Sequence, residues 1–192
     1  MLETGSGNVL WDCLALLDEG TVRLIREHGG LAAIAISHPH YYATMVEWSR
    51  AFGNVPIYLH ADDSHWVVRH DDCLRFWDGE QLRLFDGIAL VRCGGHFEGG
   101  TVLHWPAGAD GRGVLLSGDI LQVVPDRRWV SFMYSYPNYI PLGRSAVQRI
   151  LGALEPFDAE RVYGAFHPMD LVNDGKAAIR RSADRYLRAI AS

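Results

Sequence analysis

Leu31-Ala32-Ala33-Ile34-Ala35-Ile36-Ser37-His38-Pro39-His40 is an apolar run that stops at two histidines separated by a single proline. The run has the length and composition of a buried strand, and the Ser-His-Pro-His turn ends it. Both imidazoles then leave the carboxyl end of the strand one residue apart, where they can reach one ion. Two ligands hold a metal weakly, so further donors are expected from turns of the same kind. His96 in Gly94-Gly95-His96-Phe97-Glu98-Gly99-Gly100, Asp119 in Leu115-Leu116-Ser117-Gly118-Asp119, and His167 in Val162-Tyr163-Gly164-Ala165-Phe166-His167-Pro168 each follow or interrupt an apolar run in this way.

Upstream of the quoted stretch, residues 8–13 read as a strand, and Thr21 caps a short helix over residues 22–28 that Gly29-Gly30 terminates. Downstream, Met45, Trp48 and Phe52 fall at helical spacing in a helix over residues 42–52, Gly53-Asn54 ends it, and residues 55–59 form the next strand. This βαβα alternation predicts a parallel layer with helices against it. After residue 70 the character changes. Short β-type runs at 74–77, 81–85, 88–93, 101–105 and 114–116 are broken by Asp-Gly and Gly-rich turns, which predicts antiparallel hairpins. Two later helices, at roughly residues 145–154 and 174–190, bracket a strand at 161–165. From Pro125 to Leu142, Trp129, Phe132, Tyr134, Tyr136 and Tyr139 stand among prolines and polar residues, the pattern of an ordered loop and a candidate wall for a pocket.

The 192 residues suffice for one well-buried core and not for two full-sized domains, so residues 1–192 are read as a single domain. With 18 basic and 23 acidic residues spread along the chain and a formal charge of -5, there is no electrostatic footprint for nucleic acid or an anionic membrane, and neither is expected as a partner. No long apolar stretch and no secretory signal pattern occur, which predicts a cytoplasmic protein. Cys13, Cys73 and Cys93 lack metal-ligand spacing and read as buried free thiols.

Donors at the carboxyl ends of parallel strands share one edge of a sheet, where open α/β structures bind ligands. Three neutral imidazoles suit zinc and leave a position for water, whose pKa the ion brings from about 15.7 to about 7. Asp119 adds a carboxylate, either as a ligand or as the base that orients that water.

In this order of motifs the sequence resembles the metallo-β-lactamase fold metallohydrolases. The resemblance spans about residues 8–190: a strand ending at Asp12, the His38-Pro39-His40 pair, the Gly-His turn at His96, the Ser-Gly-Asp turn at Asp119 and a late strand ending at His167. It implies an αββα sandwich of the α/β class. It also implies that a first metal takes His38, His40 and His96, that Asp119 bridges to a second metal, that His167 belongs to that second metal, and that Asp12 supports the site from behind. The sequence departs from the family's His-x-His-x-Asp-His pattern, because Tyr42 stands at the aspartate position and Ala43 at the following histidine. One metal rather than two is therefore expected. Tyr42 would fill the vacated space, offering its phenol to a substrate oxygen or simply packing there.

The family also carries one or two hairpins before its first strand. The first sheet is expected here without those leading strands, its edge covered by a second copy in a homo-oligomer. The functional expectation is a metal-dependent hydrolase, with zinc, acting on an ester, thioester, lactone or amide carbonyl of a small-molecule substrate. A mononuclear iron site supporting oxygen chemistry is an alternative, because two histidines and a carboxylate with open positions suit ferrous iron. Loss of the Asp-His pair also fits a catalytically silent binding or assembly module of the same fold.

Overall fold

Residues 1–191 are described by the computed structural model. Strands β1 (Val9–Trp11), β2 (Ala33–Ala35), β3 (Ile57–His60) and β4 (Leu74–Trp77) pair in that order, all parallel, with helices α1 (Glu19–Glu27) and α2 (Met45–Ala51) as crossovers. An antiparallel meander follows: β5 (Gln81–Arg83), β6 (Ala89–Arg92), β7 (Thr101–Trp105) and β8 (Val114–Gly118), with a single turn, α3 (Gly108–Gly111), between β7 and β8. The chain then makes two short pairs, β9 (Gln122–Val123) with β10 (Val130–Ser131) and β11 (Met133–Ser135) with β12 (Ile140–Pro141). After α4 (Arg144–Leu154), β13 (Arg161–Gly164) adds parallel to β8, β14 (Asp170–Leu171) adds antiparallel at the edge, and α5 (Gly175–Ala189) closes the fold.

Alternation of side chains across each strand sorts the apolar residues into three layers. On the first sheet, Leu10 and Ile34 point to Ile25 of α1 and Met45, Val46 and Trp48 of α2. Their neighbours Val9, Ala33 and Ala35 point the other way, to Ile88, Leu90 and Leu103 of the second sheet. Ala89 and Val91 of β6 in turn face Val147, Ile150 and Leu154 of α4 and Ala178, Ile179 and Ala183 of α5. The result is helices, sheet, sheet, helices, as the resemblance implies. No helix among the described residues is long and apolar enough to cross a membrane.

Several local expectations are corrected. The cap of α1 is Asp18, not Thr21: the Asp18 carboxylate accepts from Thr21 N at 2.9 Å and from its hydroxyl at 2.6 Å, which moves the helix start upstream. The helix expected from Tyr42 begins at Met45, because Pro39–Tyr41 forms a 3-10 turn that redirects the chain first. The run at β4 is not a hairpin arm. It pairs parallel with β3 after a 3-10 crossover at Ala61–Trp66, so the parallel layer is one strand wider than the helix alternation suggested. At the edge of the first sheet, Leu2 folds back against Val9, donating at 2.8 Å and accepting at 3.0 Å, so part of β1's backbone is paired within the chain. All three cysteines are free and buried, and burial pushes the Cys93 thiol up to about 12.

Trp48 is 0% exposed in the layer between α2 and the first sheet, and its indole N–H donates to the Leu14 carbonyl at 2.9 Å. Trp48→Ala is expected to cost about 3–5 kcal/mol, the usual loss for emptying a large aromatic site. Urea unfolding monitored by circular dichroism measures it.

Candidate metal centre

The site is built where β1, β2 and β8 end. Asp12, just beyond β1, has a positive φ of 56° and turns its carboxylate across to the end of β2. There Oδ1 accepts from the Ser37 amide at 2.7 Å and Oδ2 from the Ser37 hydroxyl at 3.0 Å. With its proton directed at Asp12, the hydroxyl accepts from His38 Nδ1, 2.8 Å away. His38 therefore carries its proton on Nδ1 and presents the lone pair of Nε2 to the site. Burial raises the Asp12 pKa to about 7 against the pull of the two Ser37 hydrogen bonds, with the Asp119 charge adding to the rise.

His96 is oriented by the same logic from the other sheet. Its Nδ1 lies 2.8 Å from the Tyr134 carbonyl, which can only accept, so Nδ1 holds the proton and Nε2 the lone pair. That Nε2 is buried with no hydrogen-bond partner. Asp63 pins the turn: it accepts from Gly99 N at 2.9 Å, and a Cβ on Gly99 would come within 2.8 Å of its carboxyl group.

Asp119 follows Gly118, whose φ of +51° and contact with Ser37 leave no room for a side chain; a Cβ there would stand 2.6 Å from Ser37 Oγ. The Tyr136 hydroxyl donates to the Asp119 carbonyl at 2.7 Å. Asp119 Oδ2 lies 3.5 Å from His38 Nε2 and 3.9 Å from His40 Nδ1, and Oδ1 is buried without a partner. Burial disfavours the Asp119 charge, yet the adjacent His38 ring and the other imidazoles outweigh that cost and hold the carboxyl below its usual range.

His38, His40, His96 and Asp119 thus offer four donor atoms within 4.8 Å of one another. His40 Nδ1 approaches His38 Nε2 to 3.0 Å, and its half-exposed ring forms the solvent side of the group. Phe97 covers the three imidazoles with ring-centre separations of 5.5, 5.1 and 4.9 Å. The donor set fits a divalent cation. Two lone-pair atoms, His96 Nε2 and Asp119 Oδ1, are buried without a donor, each at a cost of about 1–3 kcal/mol, and one cation would satisfy both.

Two expected site residues are not brought in. His167 is exposed on the loop after β13 and is not part of the four-donor group. Tyr42 is 9% exposed and packs in the apolar layer with Met45 and Trp48; its phenol is pushed above the ordinary tyrosine range by burial and by the Asp63 and Asp12 charges. Of the two roles considered for it, the structure supports packing. Sequence reading missed Ser37, Asp63 and the Tyr134 carbonyl. Only Ser37 left a signal, by its place before His38.

A cavity of about 570 Å³ opens beside His40 and His96, with Trp66, Phe97, Tyr134 and Pro137 as walls, so the aromatic loop after Pro125 does line a pocket. A cavity of similar size, about 540 Å³, lies between β5–β7 and α4 and contains none of the four donors.

No family model matches the chain. Over 185 residues, covering 96% of this chain and 67% of the relative, it is 51% identical to the uncharacterized protein YmaE of Bacillus subtilis (strain 168). The chain belongs to the YmaE family. Its fold is that of the metallo-β-lactamases: the DIM-1 metallo-β-lactamase superposes with a TM-score of 0.69 at 18% identity, covering 98% of this chain and 85% of that one. TTHA1623 in a di-iron-bound form gives 0.66 at 25% identity over 92% and 89% of the two chains. A B3 metallo-β-lactamase with an active-site glutamic acid gives 0.63 at 16% identity over 100% and 84%.

Metal retention should follow the fixed tautomers. Ser37→Ala removes the hydroxyl that holds His38 and is expected to weaken metal affinity about 10–100-fold, while His38→Ala or His96→Ala abolishes binding; competition with a chromogenic chelator reads both. Burial, opposed by contacts with acceptors and Asp119, leaves His38 and His96 below the ordinary imidazole value. Protons should therefore displace the ion only below the usual imidazole range near about 6.5, as metal release followed against pH would show.

Proposed function

We propose that this YmaE-family chain is a metal-dependent hydrolase with one principal zinc ion held by His38, His40 and His96. The supporting observation is the set of lone pairs fixed from outside the site, with His38 oriented by Ser37 and Asp12 and His96 by the Tyr134 carbonyl. When bound, zinc supplies Lewis acidity towards a carbonyl oxygen and lowers the pKa of water. Asp119, ionised at neutral pH and with Oδ1 lacking a partner, orients the water and accepts its proton. Phe97 keeps bulk water from the imidazole faces, and the half-exposed side of His40 leaves the approach for substrate. The bond cleaved is an ester, thioester, lactone or amide of a small molecule. His167, exposed and apart from the donor group, has no part in this scheme.

Iron is the second reading, favoured by the likeness to TTHA1623 in its di-iron-bound form. Elemental analysis of protein produced with iron and zinc supplied together separates the two. One zinc per chain is expected, and two tightly held ions would overturn the mononuclear site.

Hydrolysis of a panel of aryl esters, thioesters and lactones should be lost on chelation and return with zinc. Asp119→Asn should lower kcat by about 10²–10⁴-fold, the usual contribution of general-base catalysis, with the metal still held by the three histidines. Turnover indifferent to chelation would overturn the hydrolase reading. A homo-oligomer is also proposed, pairing at the part of the β1 edge that Leu2 does not cover. Light scattering during size exclusion tests it, and the mass of one chain would overturn it.

A further inference from the structure

The cavity between β5–β7 and α4 lies on the helix-covered face of the second sheet. In the register of the meander, Arg83 stands opposite Ala89, Ala89 opposite His104, and Gln81 opposite Val91, so these side chains share one face. That face is the one α4 covers, because Ala89 and Val91 pack with Val147, Ile150 and Leu154. Beside this packed stripe, Arg149, Gly152 and Ala153 stand at helical spacing and line the cavity opposite Gln81 and Arg83. Gly152 and Ala153 fill little space, and a Cβ added at Gly152 would meet nothing within 4 Å. The gap left between helix and sheet is about 540 Å³, within the usual size of a small-molecule site.

The charges around it are matched except for one. Arg149 binds Glu80 at 3.0 Å, Glu80 also faces Arg92 at 3.6 Å, and Arg92 is paired with Asp62, so two guanidiniums meet two carboxylates. Outside the lining, Asp158 is paired with Lys176 at 3.0 Å and Glu155 with Arg180. Asp86 accepts from Ser6, and Asp78 is exposed in the bend before β5, away from the lining. Arg83 differs: its Nη1 donates to the Gly87 carbonyl at 3.4 Å, and no carboxylate among the described residues pairs with it. Its guanidinium carbon lies 5.9 Å from the centre of the Phe157 ring, which the His104 ring also approaches, at 4.9 Å. His104 donates from Nε2 to the Asp158 carbonyl at 2.8 Å, and burial holds its pKa down, so it adds a neutral ring to the wall. A guanidinium set over an aromatic face keeps its planar fork for a carboxylate, which it matches with two parallel hydrogen bonds.

We propose that this cavity binds a small organic monocarboxylate with a flat apolar body, the carboxylate on Arg83 and the body against Phe157, Val91 and Ala153. One unmatched cation calls for one negative charge, and the apolar wall calls for a body to cover it. The site is separate from the four metal donors and does not depend on the hydrolase reading.

The test titrates the zinc-loaded full chain calorimetrically with 2-naphthoate, 2-naphthamide, 2-naphthylmethylammonium and acetate. 2-Naphthoate should bind at least about tenfold more tightly than each of the others, the scale of one hydrogen-bonded charge pair. Arg83→Gln should weaken 2-naphthoate by about tenfold or more and leave 2-naphthamide unchanged, while Gly152→Phe, which fills the gap, should weaken both. Both positions are exposed, so the fold is retained, as circular dichroism checks. His40→Ala, at the half-exposed side of the donor group, should leave 2-naphthoate binding unchanged. No binding of 2-naphthoate, or an affinity that neither Arg83→Gln nor Gly152→Phe lowers, overturns the proposal. So does binding that His40→Ala removes, which would place the carboxylate on the metal.

Discussion

Ser37 is the residue through which the two sheets and the metal centre are tied together. It is 1% exposed, and each of its polar groups is used. Its amide and hydroxyl donate to Asp12 of the neighbouring strand end, and its hydroxyl also receives His38 Nδ1. Its carbonyl accepts from Thr101 N at 2.9 Å, which joins the end of β2 to the start of β7 in the other sheet. Gly118 closes on it so tightly that Asp119 can enter the site only because that position lacks a Cβ. A single small polar residue, through its backbone and its hydroxyl, thereby sets the spacing of three strand ends and the tautomer of one ligand.

Burial gives these contacts their effect. In a buried junction an unpartnered polar atom is costly and a hydrogen bond is strong, so the orienting groups hold one arrangement rather than several. The same burial raises Asp12 and lowers the two buried imidazoles, while the imidazoles acting together keep Asp119 ionised. Neutral nitrogen donors and an ionised carboxylate are what a divalent cation requires. The protein prepares that state through its own packing.

The second half of the donor set shows how loops are recruited to a rigid frame. His96 sits in a glycine-rich turn with no regular structure of its own. It is held from below by Asp63 on Gly99 and from the side by the Tyr134 carbonyl. Both partners come from segments that also wall the cavity, the 3-10 crossover carrying Trp66 and the aromatic loop carrying Tyr134 and Tyr136. The shape of the pocket and the aim of His96 are therefore coupled: a change in either wall moves a ligand.

What the sequence by itself determined is the layer order and the four side chains, His38, His40, His96 and Asp119, that come together at the strand ends. Apolar runs ending in histidine or Ser-Gly-Asp turns are local patterns, and strands of one direction deliver whatever follows them to one edge of their sheet, as β6 and β8, both antiparallel to β7, deliver His96 and Asp119. The extent of the parallel layer was less legible, because β4 follows a 3-10 crossover instead of the α-helix that marks such connections. Only the tertiary structure decided that His167 faces solvent and Tyr42 faces the core. It alone paired Asp63 with Gly99, 36 residues away, and brought the Tyr134 carbonyl to His96, 38 residues away. Those outcomes depend on how sheets and loops pack across long sequence separations, where no spacing rule in the chain carries the information and burial makes the choice.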